Sequence, residues 1–171
     1  MRLRVVAALV FILSFTFATF AEKRRSASHP SGDATAAEWL QLHGIPFATT
    51  EPGSGIDDLR ILDVVVGQAR VVALGEATHA SHEFFTMKHR IFEYLVREKG
   101  FSVFSMEASF AEADAVNEYV IDGIGDPAAA LKALGWTWNS EELMALIRWM
   151  REYNLARGER PALSFRGFDA Q

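Results

Sequence analysis

Cysteine is absent from the 171 residues. That excludes disulfides, thiolate metal ligands, a cysteine nucleophile and a cysteine-linked lipid anchor. Positive charge is scarce as well. The formal net charge is −5, and no basic stretch beyond Lys23-Arg24-Arg25 stands out. A surface built mainly to bind nucleic acid is therefore excluded, although a local basic pocket is not. The sequence contains no Gly-x-Ser-x-Gly nucleophile elbow, no phosphate-binding loop and no His-Glu-x-x-His. These absences remove support for a serine-triad esterase, a phosphate-loop enzyme and a zincin. Internal repeats and low-complexity tracts are also missing. What is present is ordinary globular material, half of it hydrophobic and 23% charged, enough for one domain with a real core.

The first 21 residues have the layout of a secretory signal peptide. Arg2 and Arg4 precede an apolar run from Val5 to Ala21, and small residues close it at Ala18-Thr19-Phe20-Ala21. Export to the periplasm or medium is the expectation, with cleavage after Ala21. An uncleaved segment would instead anchor the chain in the membrane, since the run is near the lower length limit for a span. Residues 22–33, with Pro30, Gly32 and three serines, read as a linker.

The pattern from residue 34 predicts an α/β domain. A short helix is expected from Asp33 to His43, with Gly44 after it. Residues 52–55 form a loop, and a second helix covers 57–66. Arg70-Val71-Val72-Ala73-Leu74 reads as a buried strand ending at Gly75. A helix follows over 83–98, with Phe84, Met87, Ile91 and Leu95 at helical spacing and Gly100 at its end. A second strand is expected over 101–106, then helices over 110–121, 127–134 and 141–156, the last capped by Ser140. A third strand is expected over 162–168. Strand, helix, strand, helices, strand is the order of a three-layer α/β fold with a mainly parallel sheet flanked by helices. A parallel sheet needs cover on both faces. Ending right after a third strand, the pattern is expected to be the N-terminal portion of a longer domain, incomplete at its C-terminal side.

In such sheets, sites form beyond the carboxyl ends of the strands. The first strand leads into Gly75-Glu76-Ala77-Thr78-His79, the second into Glu107 and the third into Asp169. Three acids and a histidine then share one edge, a set suited to general acid–base work. A histidine beside a carboxylate is held in one tautomer and can take a proton from water. Backbone N–H groups near residues 80–82 are candidates to meet a developing oxyanion. Competing readings stay open. Glu76 and Thr78 could cap the following helix, and Asp169 could be a turn residue. Glu76, His79 and Glu107 could hold a metal. Lys88 could be solvated or paired with Glu93 or Asp114. His89 and Arg90 read as surface or packing residues, and Trp136, Trp138 and Trp149 as core or contact aromatics.

Several segments in order resemble the erythromycin esterase family. They are residues 71–79, Glu83-Phe84-Phe85, Lys88-His89-Arg90, residues 104–109, Trp136-Thr137-Trp138, residues 147–154 and Gly167-Phe168-Asp169-Ala170-Gln171. The resemblance covers roughly Trp39 to Gln171. It implies a carboxylic ester hydrolase, notably one opening the lactone of erythromycin-type antibiotics. Its histidine general base would act on water without a covalent serine intermediate. That base would be His79, supported by Glu76 and Glu107, with Lys88 as the pocket's basic residue and Asp169 beside the substrate. The partner implied is a small-molecule ester. No cofactor and no metal are required, although the wider superfamily includes haem-binding and metal-dependent members. The alternative is a truncated, non-catalytic module that binds a small molecule, metal or haem. Two departures from the family stand out. Ala80 stands where many members carry glycine, and the part of the family domain that holds a further histidine is expected beyond Gln171.

Overall fold

The computed structural model describes residues 32–170. The expected leader at 1–21 and most of the linker lie outside the described residues. Among those described, no helix is long and apolar enough to cross a membrane.

Helix α1 spans Gly32–His43 and takes in the last two residues assigned to the linker. The segment expected as one helix over 57–66 is broken. A 3-10 turn covers Asp57–Leu59, and α2 covers Leu62–Val66. Asp58, in the 3-10 turn, accepts from the Ala48 amide and from Arg90. Helix α3 (His82–Lys99) is followed by strand β1 (Val103–Ser109), α4 (Phe110–Asp122), α5 (Pro127–Ala133), α6 (Glu141–Ala156) and strand β2 (Ser164–Asp169). Gly100 and Gly123, both at φ 73°, close α3 and α4 in the left-handed conformation that glycine adopts without strain. Ser109, Asp126 and Ser140 each accept a first-turn amide at the start of α4, α5 and α6.

Strands β1 and β2 are parallel neighbours, with Val103 opposite Ser164 and Met106 opposite Gly167. The result is a mixed α/β fold, a small parallel sheet flanked by helices. The expected strand at 70–74 does not join it, and the sheet of the described residues has two strands. Residues 71–76 still alternate between exposed and half-buried. Val72 is half-buried against the cluster that includes Ile56, Leu59 and Leu95, while Val71 is 83% exposed. A hydrophobic run has the same composition whether or not a neighbour supplies a ladder, and no described strand supplies one here.

The main core lies between the sheet and helices α3 to α6. Phe92, Val116, Leu131, Ile147, Met150 and Phe165 are its buried centre. Asn154, buried on α6, knits that core. It donates to the Val120 and Leu163 carbonyls and accepts from the Leu163 amide. A smaller cluster of Ile56, Leu59, Val66, Tyr94 and Leu95 covers the other side of α3.

Gly167 explains why a glycine precedes Phe168-Asp169. A Cβ there would come within 2.5 Å of the Ala108 carbonyl oxygen and 2.6 Å of the Ser109 carbonyl oxygen. Both atoms belong to the backbone at the irregular end of the β1–β2 register and cannot rotate aside. Gly167→Ala is expected to lower unfolding free energy by about 1–3 kcal/mol, as overpacking does. Thermal unfolding of the two proteins measures it, and an unchanged midpoint would show that the strand ends part freely.

Candidate functional site

Glu76 and His79 sit in the open stretch between the extended run and α3. The Glu76 side chain is 8% exposed, and one of its oxygens, Oε1, lies 2.5 Å from His79 Nδ1. The other, Oε2, accepts a hydrogen bond from the Lys88 ammonium, nearly two turns into α3. A single carboxylate thus faces an imidazole and an ammonium at once. An ionised carboxylate can only accept, so the proton of the first contact belongs on Nδ1. Nε2 is then the nitrogen with a free lone pair. The ring is about half-exposed, open to water or a ligand. Trp138, from the loop before α6, meets it edge-on at 5.2 Å between centroids. Phe85 packs on the same Trp138 at 6.1 Å, and the Lys88 ammonium lies 5.8 Å from the Phe85 ring.

The capping alternative does not describe Glu76 or Thr78. The residue before α3 is Ser81, which makes no side-chain cap and turns its Oγ towards Glu83. The Thr78 hydroxyl donates to the His79 carbonyl. Lys88 is paired with Glu76 and not with the partners weighed for it. Glu93 accepts from the Gly53 amide, and Asp114 pairs with Arg166.

Glu107 is not part of this hydrogen-bonded group. The strand expected to stop at Met106 runs on to Ser109, so Glu107 is an exposed residue within β1. No hydrogen bond or ion pair joins it to Glu76, His79 or Lys88. Asp169 is the last residue of β2, half-buried and in register with Ser109. Among the described residues no three His, Asp or Glu side chains are grouped to hold a metal. Two surface depressions, one lined by residues from Asn139 to Arg148 and one between α4 and α5, do not include the Glu76–His79 pair.

His89 and Arg90, read as surface or packing residues, are both buried. Burial pushes the His89 imidazole down to about 4, so it is neutral near pH 7, and its Nε2 has no hydrogen-bond partner. It packs against Trp149, a structural place and not a catalytic one. Two contacts at the site carry no signal in sequence spacing. One is Trp138 on His79, and the other is His82 with Glu142, sixty positions apart.

Ala80 has φ 59°, alone among non-glycine residues described. That is the left-handed region, which costs an L-residue about 1 kcal/mol or more. Ala80→Gly removes that strain and adds roughly 0.5 kcal/mol of chain entropy to the unfolded state. The variant is expected to gain about 0.5 kcal/mol in urea unfolding, and a loss of stability would mean that the turn relaxes in solution.

Residues 96–171 match the model of the family described as erythromycin esterase. Residues 96–171 belong to the erythromycin esterase family. The chain is 36% identical over 132 residues to erythromycin esterase type II of Escherichia coli, an alignment covering 77% of this chain and 31% of that protein. It is 28% identical over 163 residues to a putative hydrolase of Bacillus subtilis, covering 95% of this chain and 34% of that one. The chain therefore spans about a third of the length of these relatives. A crystal structure of a Bacillus cereus protein superposes with a TM-score of 0.74 at 38% identity, over 82% of this chain and 34% of that one. A mutant erythromycin esterase in its open conformation shares the fold, with a TM-score of 0.54 at 24% identity over 69% of this chain and 28% of that chain.

Proposed function

We propose that the chain carries the histidine side of an ester-hydrolysing site, in which His79 activates water for direct attack on a carboxylic ester. The observation that carries this is the Glu76 carboxylate shared between His79 Nδ1 and the Lys88 ammonium. Glu76 holds the ring in the tautomer that leaves Nε2 basic, and it stabilises the imidazolium formed when water gives up its proton. Lys88 keeps that carboxylate in place and adds positive charge beside a developing oxyanion. The amides at the uncapped start of α3 are further donors for it. Glu107 and Asp169, at the carboxyl end of the sheet, line the substrate side. The Trp138 and Phe85 rings favour a substrate with an apolar body, for which a macrolide lactone is the proposed example, its opening inactivating the antibiotic. Export through residues 1–21 belongs to the same reading.

The test is to incubate the protein with erythromycin and follow the mass of the antibiotic. Gain of one water, unaffected by a chelator and absent in His79→Ala, is expected. Chelator-sensitive turnover would replace the histidine mechanism by a metal one. Retention of the macrolide without turnover would make the chain a binding module.

A further inference from the structure

His82, which the hydrolytic reading leaves unused, receives carboxylates from two distant segments. It is the first residue of α3, three positions after His79. Its Nδ1 lies 2.6 Å from Glu142 Oε1, in the first turn of α6. Its Nε2 lies 3.1 Å from Glu51 Oε1. Glu51 is not on a loose loop. Arg90 donates to the Thr49 and Gly55 carbonyls on either side of it, and Glu93 accepts from the Gly53 amide. A neutral imidazole has one N–H and cannot donate to two carboxylates, whereas an imidazolium can. Glu142 and Glu51 are the charged groups that face the ring from α6 and from the loop. Within α3, the neighbouring Glu83 accepts from Ser81 Oγ. No described ion pair brings a cation to the ring.

Segments 79–82 and 138–142 are therefore tied twice. At one end the His79 ring meets Trp138, and at the other His82 meets Glu142. Between them lies Ala80, held in a conformation that an alanine does not choose by itself. We propose that His82, as an imidazolium bridging Glu142 and Glu51, is a positioning residue that clamps the turn at 75–81 to the start of α6 and so holds the His79 ring against Trp138. Its consequence for catalysis rests on the hydrolytic reading. The clamp itself is measurable without turnover.

The clamp has a pH window. Hydrogen bonding to Glu142, then to Glu51, raises the imidazolium of His82 above its ordinary range. Hydrogen bonding to His82 lowers the Glu142 carboxyl below its own. The Glu142 arm of the tie is present above the lowered titration of that carboxyl. The tie is released as pH rises through the raised titration of His82, because the neutral ring loses one donor.

The experiment is the nuclear Overhauser contact between the His79 and Trp138 rings, followed across pH in the wild type, His82→Gln and His82→Lys. In the wild type the contact is expected to weaken about two- to fivefold as His82 loses its proton, the scale of an exposed ion pair. His82→Gln should show the weak contact at every pH. His82→Lys should keep the strong contact to alkaline pH, because an ammonium stays charged there. Equal contacts in the wild type and His82→Gln at all pH values overturn the clamp. So does a lysine variant that loses the contact where the wild type does. The expected contact pattern without hydrolysis of erythromycin by any of the three supports the clamp and overturns the hydrolytic reading alone.

Discussion

Replacing His79 by alanine is expected to lower kcat/KM for a macrolide or a simpler carboxylic ester by about 100- to 10,000-fold, the range a positioned general base contributes. His79 offers the Nε2 lone pair once Glu76 has fixed the proton on Nδ1. Alanine leaves Glu76 and Lys88 paired with each other, so the fold loses little. The ring is half-exposed and lies outside both buried clusters. A loss of activity at unchanged melting temperature is therefore the signature of the base. Glu76→Gln separates the roles further. An amide can orient the ring but cannot stabilise an imidazolium as an anion does, so kcat should fall more than KM rises. A His79→Ala protein within threefold of wild type would remove the histidine mechanism.

Most of the helices were legible because their signals are local. The apolar spacing of Met87, Ile91 and Leu95 and the glycine at 100 mark α3 to within a residue at each end, and Ser140 marks the start of α6. The closeness of Glu76 and His79 was legible for the same reason, three positions in one turn. The run at 70–74 has the composition of a strand without being one, because periodicity reports burial and not pairing. Val72 is half-buried, but a strand also needs a ladder. Glu107 ends the apolar run of its strand in the sequence, yet β1 continues past it because Ala108 still packs into the core. The contacts of Trp138 with His79 and of Glu142 with His82 were illegible. They depend on how α6 is laid against α3, and no spacing in the sequence encodes that.

The same limit hid the residue whose loss is expected to harm stability most. Arg90 is 1% exposed and makes four hydrogen bonds, to the Thr49 and Gly55 carbonyls and to both carboxylate oxygens of Asp58. A guanidinium is the side chain able to present that many donors in a fixed fork. Its place on α3 turns residues 48–58 from a loop into part of the scaffold and sets Glu51 in front of His82. Arg90→Leu keeps the packing volume roughly but leaves two backbone carbonyls without their donor. Thr49 is half-buried and Gly55 exposed, so water replaces part of the lost bonding; at about 1–3 kcal/mol for an unpaired buried group, the variant is expected to lose about 1–3 kcal/mol. A fall in the urea midpoint with little change of slope would show it. Arg90→Lys should rescue only part, since one ammonium cannot reach all four acceptors. A pH signature accompanies the loss. The hydrogen bond from Arg90 holds the Asp58 carboxyl down at about 2, against an ordinary value of 3.8. A depressed acid stabilises the fold above its ordinary titration, and that contribution disappears as pH falls through the lowered one. The wild type should therefore lose this increment between about pH 4 and pH 2. In Arg90→Leu only the part that the Ala48 amide supports remains, and the acid slope of stability in that range should flatten. An Arg90→Leu protein as stable as wild type, with the same acid slope, would mean that the loop is held by Glu93 and His82 alone.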